Sequence, residues 1–244
     1  EKANMLFIVQ DPYTSYYDAK VVRDFVALTQ KLGFDPIILP FKPNGKAMHI
    51  KGFLTRFSKT AKTQAEFLNR VAKLNVPLVG VDPAIVLSYR DEYKEALGDS
   101  RGDFHVLTAH EWLTNQLESN ALQSAVKNIA KSDHTFEWHL FPHCTESTFM
   151  PNSPKEWQHI FAQFGQTLKV EKVGCCGMAG VFGHEVQNQT MSKDIYDVSW
   201  GKKLQGKDPN YCLATGYSCR SQVKRYEKAI LKHPVQALLE VLNN

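Results

Sequence analysis

Short apolar runs separated by helix-length amphipathic stretches recur along this chain, and that alternation restricts it to a fold built on parallel β-sheet. Residues 5–9 (MLFIV) are continuously apolar and end at Asp11-Pro12, as expected of a strand buried on both faces. Val21, Val22, Phe25, Leu28 and Leu32 follow at helical spacing, with Gly33 where a C-terminal helix cap belongs. Residues 36–39 supply a second apolar run. Two parallel strands joined through a helix make a β-α-β unit, the building block of a doubly wound sheet.

The same order continues and then repeats. Residues 41–53 form a loop containing Pro and Gly, residues 63–74 place Phe67, Leu68 and Val71 at helical spacing, and residues 76–81 are a third strand ending at Asp82-Pro83. A polar stretch over 91–103 leads to 105–108, a short strand or a helix entry, and 109–117 and 121–130 read as helices. Residues 136–141 then open a second series ending at Pro142-His143-Cys144. A helix over 156–164 has Trp157, Ile160, Phe161 and Phe164 on one face and is closed by Gly165. A strand over 168–173, a helix over 192–204 and a strand over 211–215 follow, the last running into Gly216-Tyr217-Ser218-Cys219. The chain closes with a helix through Val223, Tyr226 and Ile230 and another over 235–242.

Fixed-order self-similarity of this kind implies a duplicated unit. The expected architecture is α/β: two similar Rossmann-like lobes, residues 1–131 and 132–244, each a small parallel sheet flanked by helices. The loop after the first strand carries Asp11 in one half and His143-Cys144 in the other. The loop after the second carries residues 43–46 or Cys175-Cys176, and the third sets Ala84 opposite Cys219. Only the second lobe keeps thiols.

All five cysteines lie between residues 144 and 219. Cys144, the Cys175-Cys176 pair and Cys219 each fall just past the C-terminal end of an expected parallel strand, in loops, where open α/β sheets place their sites. Thirty residues separate Cys144 from Cys175 and forty-two separate Cys176 from Cys219. These are crossover lengths, so the three loops can converge at one sheet edge. Adjacent cysteines are too strained to bond each other readily, and four thiolates at one point suit tetrahedral zinc or an iron–sulfur cluster. The glycines of residues 174–183 let the backbone wrap closely around a bound group.

Blander readings compete. Buried free cysteine packs as a small hydrophobe, which is the reading adopted for Cys212, inside a strand, and not for the other four, none of which sits on an apolar periodic face. A thiol nucleophile, Cys144 activated by His143, is a further alternative. His143, His184 and Arg220 are candidates for the surroundings of the thiols, Arg220 as a cation balancing thiolate charge. Trp112, Trp138, Trp157 and Trp200 read as core residues.

Composition narrows the classes. A hydrophobic content of 43% and a charged content of 22% describe a globular protein with a buried core. The net charge of +4 is small and dispersed, which argues against nucleic acid as a partner. No apolar run approaches the roughly 20 residues of a transmembrane segment, and the N-terminus lacks the order of a signal peptide. An odd cysteine count suits a reduced, cytoplasmic setting. The start at Glu1 rather than Met reads as a piece of a longer protein.

At Cys144, Cys175-Cys176-Gly177 and Cys219-Arg220-Ser221-Gln222 the chain resembles the cysteine-rich CCG domain family. That family occurs in heterodisulfide reductase, in the iron–sulfur subunits of glycolate oxidase and anaerobic glycerol-3-phosphate dehydrogenase, and in the C-terminal region of large FAD-linked D-lactate or D-2-hydroxyglutarate dehydrogenases. Residues 174–185 and 214–223 are most similar to the last group. Family members carry two copies of a Cys…Cys-Cys…Cys-x-x-Cys pattern. Here the first copy has no cysteine, and the second ends in Tyr217-Ser218-Cys219 with one thiol, so a four-thiolate site fits better than the larger family cluster. The resemblance implies a parent enzyme that oxidises a small D-2-hydroxy acid with FAD on an N-terminal domain outside this chain and ferredoxin-like clusters between. This region would serve electron transfer or docking against the remainder of the parent flavoprotein, peripheral to the inner membrane through it. The isolated chain is then expected to lack dehydrogenase activity. The alternative from another class is a structural zinc-binding or metal-free interaction module without a redox role.

Overall fold

The apolar runs become strands of two parallel sheets, the run at 36–39 forming an edge strand on which Ile37 and Ile38 are exposed. The computed structural model describes residues 3–119, 121–122 and 136–243, and the chain divides into two compact units, Glu1–Trp112 and Leu113–Asn244. The architecture is an α/β fold of two Rossmann-like lobes.

In the first unit β1 (Met5–Ile8), β2 (Asp35–Ile38), β3 (Leu78–Gly80) and β4 (Val106–Thr108) run parallel in the order β2-β1-β3-β4. Helix α1 (Ala19–Lys31) buries Val21, Val22, Phe25 and Leu28, the stripe expected from the sequence. Gly33, just past its end, takes φ +88°, the left-handed conformation of a helix stop. Helix α3 (Leu54–Ala72) packs Phe57, Ala61, Ala65 and Leu68 with Phe7, Val9, Leu78 and Val106. Each such large apolar side chain contributes about 1.5–3 kcal/mol when fully buried.

Several stretches expected as loops are helical. Residues 41–53 contain α2 (Lys46–Ile50). Asp82-Pro83 does not open a loop but starts α4 (Pro83–Arg90). The Asp82 carboxylate accepts the N–H groups of Ala84 and Ile85, and Pro83 occupies the first turn, where its missing N–H costs nothing. The polar stretch 91–103 holds α5 (Glu92–Leu97) and a short 3-10 turn. Helix α3 begins nine residues before the expected 63, because its first half buries only Phe57 and Ala61 and so shows little apolar periodicity. Residues 106–108 are strand, followed directly by α6 (Ala109–Glu118). Most of the helix expected over 121–130 lies outside the described residues.

In the second unit β5 (Glu137–Phe141), β6 (Thr167–Val170) and β7 (Cys212–Ala214) are parallel in the order β6-β5-β7. That order repeats β2-β1-β3, so the duplication seen along the chain holds in space, with β4 an addition in the first unit. Two helices follow β5: α7 (Cys144–Phe149) and α8 (Ser153–Gln163), the latter burying Trp157, Ile160 and Phe161. The helix expected over 192–204 is three segments: α9 (Gln189–Tyr196), a wide turn at Asp197–Gly201 and α10 (Lys202–Leu204). Helix α11 (Tyr217–Tyr226) stops before Ile230, which is 74% exposed instead of continuing its apolar face. Lys228 takes positive φ and breaks the path. Helix α12 (Pro234–Val241) is entered through a capping box made by His233 and Gln236. All four tryptophans are at most 1% exposed, and Cys212 is fully buried in β7.

Candidate functional site

Three chain segments leave the C-terminal edge of the β6-β5-β7 sheet, and each brings thiol to the same place. Cys144 is the first residue of α7, Cys175 and Cys176 lie in the connection between β6 and α9, and Cys219 is the third residue of α11. Cys144 and Cys219 therefore stand in first turns of helices, not in loops as expected, because each strand passes into its helix after only two residues. Counted from the N-cap residues Asp82 and Gly216, the first-unit position matching Cys219 is Ile85 and not Ala84.

The four thiols form a series. Cys144 hydrogen bonds Cys175, Cys175 hydrogen bonds Cys176, and Cys176 hydrogen bonds Cys219. The contact with Cys175, then burial, pushes the Cys144 thiol far up. Contacts with Cys175 and Cys219, then burial, do the same to Cys176. Cys175 goes the opposite way: hydrogen bonds from Cys144 and Cys176, aided by the N–H groups of Gly177 and Ala179, hold it well below the usual thiol range. The Gly177 N–H lies 3.3 Å from Cys175 Sγ. Cys175 is thus the thiol of the series that its neighbours most favour as a thiolate, and Cys219 stands in the first turn of α11.

The series runs from surface to core. Cys144 and Cys175 are half-buried, whereas Cys176 and Cys219 pack with Phe141, Met178, Trp200 and Val223. The expectation that none of the four sits on an apolar periodic face is corrected for Cys219, which is buried on α11 with Val223, while Cys176 packs in the same core; both are core residues and thiol neighbours at once. Four sulfurs are the right kind of donor for a thiophilic metal or cluster. Among the described residues, however, no three or more His, Cys, Asp or Glu side chains stand in metal-binding geometry. The four thiols are nevertheless neighbours, Cys144 feeling Cys219 as well as Cys175.

Polar braces that sequence patterning did not single out hold these segments together. Gln222 Nε2 donates to the Cys176 carbonyl at 2.9 Å and to Ser192 Oγ at 2.8 Å, and Ser192 Oγ donates to the Gly177 carbonyl at 2.7 Å. Gly177 is required there: its φ is +83°, and a Cβ would lie 2.1 Å from the Ser192 carbonyl oxygen. Trp200 Nε1 donates to the Gly174 carbonyl at 3.1 Å, and the Gly174 N–H donates to Ser199 Oγ at 2.7 Å. On the other flank Glu146, fully buried, accepts from the hydroxyls of Ser153 and Thr215, while the His143 N–H donates to Thr215 Oγ1 at 2.9 Å. Gln222 lies one helical turn beyond Cys219, and that spacing was the one signal that could have found it.

Arg220 is 5% exposed and donates from Nη1 to the carbonyls of Ala214 at 2.8 Å and Thr215 at 3.1 Å. It is a buried cation at the end of β7 and not a surface arginine. The His143 ring is engaged away from Cys144: Nδ1 accepts from the Thr145 N–H at 3.2 Å, and Nε2 lies 3.2 Å from Ser218 Oγ. Those contacts make it a cap and do not favour it as a base for a Cys144 nucleophile. His184 is exposed, with Arg225 its nearest influential charge.

No protein-family model matches the chain. Over 242 residues it is 81% identical to the D-2-hydroxyglutarate dehydrogenase of Haemophilus influenzae and 57% identical to that of Escherichia coli, in each case over 99% of this chain. The alignments cover 24% and 23% of those proteins, so the chain spans about a quarter of the length of the curated relatives it matches. It is also 22% identical, over 94% of its length, to one of the subunits of the anaerobic glycerol-3-phosphate dehydrogenase of Escherichia coli, of which it covers 57%.

Proposed function

We propose that this chain is the cysteine-rich C-terminal region of a larger FAD-linked oxidoreductase that oxidises a D-2-hydroxy acid, D-2-hydroxyglutarate before D-lactate. Its four thiols, Cys144, Cys175, Cys176 and Cys219, hold an iron–sulfur cluster or zinc. The observation that carries this reading is the unbroken thiol series at the C-terminal edge of the second sheet. The names and coverage of the relatives support the parent enzyme and its substrate class, and the likeness to the glycerol-3-phosphate dehydrogenase protein supports the CCG resemblance. FAD belongs to a part of the parent outside these residues, and the setting is cytoplasmic, with any attachment to the inner membrane made through the parent.

A cluster bound here would accept and pass single electrons. The protein's share is to supply four sulfurs from three segments, to fix the Cys-Cys segment through Gln222 and Ser192, and to place the buried Arg220 cation beside a site that gathers negative charge. With no flavin motif in these residues, the isolated chain has no dehydrogenase activity of its own.

Reconstitution with iron and sulfide under anaerobic conditions, followed by absorbance and metal analysis, tests the site. A brown, oxygen-sensitive protein supports electron transfer. A colourless protein with one equivalent of zinc supports the structural alternative, favoured only by the match of four thiols to tetrahedral zinc. A metal-free protein with four freely titrating thiols overturns both.

A further inference from the structure

Residues 51–75 hold Lys51, Arg56, Lys59, Lys62, Arg70 and Lys73 against one acid, Glu66. Six cations less one anion leave +5 in a stretch of a chain whose total is +4, so charge that looks dispersed over the whole sequence is concentrated here. Helix α3 puts it on one side. Phe57, Ala61, Gln64, Ala65 and Leu68 are its buried face. At 3.6 residues per turn Arg56, Lys59, Lys62, Arg70 and Lys73 fall on the opposite face, and all five are exposed. They form a strip about 25 Å long. Among the described residues none of these five is in an ion pair, whereas Lys20, Lys46 and Arg90 of the same unit each hold a carboxylate.

A second observation falls at the start of the same helix. Residues 51–56 are six consecutive exposed residues, and the middle two are large and apolar: Phe53 is 56% and Leu54 58% exposed. Helix α2 ends just before them at Ile50, and Gly52, at φ +76° with nothing close to the place a Cβ would occupy, turns the chain in open space. Neither apolar residue belongs to the core packing of α3, which begins at Phe57. Arg56 Cζ lies 5.7 Å from the centroid of the Phe53 ring, so the apolar tip and the first cation of the strip are one surface.

Exposed apolar side chains rimmed by charge mark a docking surface. A projecting apolar pair needs a partner that yields around it, and five unpaired cations in a row need one that is anionic over their whole length. A bilayer with anionic headgroups meets both demands: Phe and Leu enter the headgroup boundary, and each Lys or Arg gains from the negative surface potential. No helix among the described residues is long and apolar enough to cross a membrane, so the contact is made at the surface. We propose that the first unit docks on an anionic lipid surface through the start and outer face of α3, with Phe53 and Leu54 entering the interface and Arg56, Lys59, Lys62, Arg70 and Lys73 set against the headgroups. This goes beyond the reading of the thiol site and does not depend on it.

Co-sedimentation of the 244-residue chain with vesicles of phosphatidylcholine alone, and with vesicles of phosphatidylcholine and phosphatidylglycerol in equimolar amounts, tests the surface. The expected result is saturable binding to the mixed vesicles, weakened by added salt, and none to the neutral ones. Lys59→Gln/Lys62→Gln should bind at least about tenfold more weakly, since each cation near the surface contributes about fivefold. Phe53→Ser/Leu54→Ser should also lose about tenfold or more. Val186→Ser/Met191→Ser removes exposed apolar side chains of the second unit and should bind as the unaltered chain does. All the replaced side chains are on the surface, and thermal unfolding verifies that each variant is folded. The inference is overturned by no binding to the mixed vesicles, by equal binding to the neutral ones, or by unchanged binding in either α3 variant. Unchanged binding of Phe53→Ser/Leu54→Ser in particular would mark a purely ionic surface open to any polyanion. It is also overturned if the full-length parent enzyme fails to bind where the chain binds, since the rest of the parent then covers this face.

Discussion

The side-chain amide of Gln222 donates to the main-chain carbonyl of Cys176 at 2.9 Å. One residue thereby ties the helix that bears Cys219 to the segment that bears Cys175 and Cys176, and the same nitrogen reaches Ser192, whose hydroxyl secures Gly177. The thiol positions are set by polar contacts to the backbone and not by the sulfurs alone. A site assembled from three separate segments needs such ties, because each segment otherwise keeps its own conformational freedom.

Replacing Gln222 by Leu keeps the volume and removes the donor. The Cys176 carbonyl is then left without this partner, at a cost of about 1–3 kcal/mol. Urea unfolding measures the loss, and alkylation of the metal-free protein followed by peptide mapping should show Cys176 reacting faster than in the parent. Unchanged stability together with unchanged protection of Cys176 would remove Gln222 from the brace.

Gly177→Ala should cost more than the usual glycine substitution. The left-handed φ alone carries a penalty of about 1–2 kcal/mol, and a Cβ 2.1 Å from the Ser192 carbonyl oxygen forces backbone apart. A total of about 2–4 kcal/mol follows. Gly174→Ala is the control, since its Cβ would meet nothing closer than 3.5 Å, at Ser199 Oγ. Equal denaturation midpoints for the two variants would contradict this account of the loop.

The cysteines divide by position. Single Ser variants of Cys144, Cys175, Cys176 and Cys219 should each lower the iron or zinc content after reconstitution. Cys212→Ala should leave it unchanged while costing about 1 kcal/mol of packing, because Cys212 is buried inside β7 and outside the thiol series. Metal content by elemental analysis decides the matter, and a loss confined to Cys212→Ala would assign the wrong set.

Much of this was legible in the sequence where apolar patterning speaks. The runs at 5–9, 36–39 and 136–141 alternate with helical stripes, so the parallel sheets, their repeat and the convergence of the thiol segments followed from crossover spacing. Polar residues carry no such period. Glu146, Ser192, Thr215 and Gln222 brace the site through bonds between distant segments, and nothing in their local sequence announces a partner 15 to 69 residues away. Arg220 beside a cysteine looks the same whether buried or exposed until the end of β7 is placed over it. Asp82-Pro83 is ambiguous for a different reason: the same pair opens turns and starts helices, and only the bonds to Ala84 and Ile85 choose between them.

A buried carboxyl of the first unit gives stability a defined dependence on pH. Asp11 titrates near 3.8 when unperturbed and at about 6 in the folded chain, raised by burial and then by Asp82, against hydrogen bonds from Thr14 and Tyr13 that act the other way. Between these values the folded chain holds a proton that the unfolded chain has released, so stability falls as pH rises. The contribution is fully present below about 4, declines through about 6, and is level above. A displacement of that size corresponds to about 3 kcal/mol at most. Asp11→Asn cannot ionise and keeps its cap oxygen, so its stability relative to the parent should rise by about 1–3 kcal/mol between pH 4 and pH 7 in chelator. Urea unfolding of both proteins across that range measures the difference, in which other titrating groups cancel. A difference that stays flat would mean that neither burial nor Asp82 raises the Asp11 carboxyl in the folded chain.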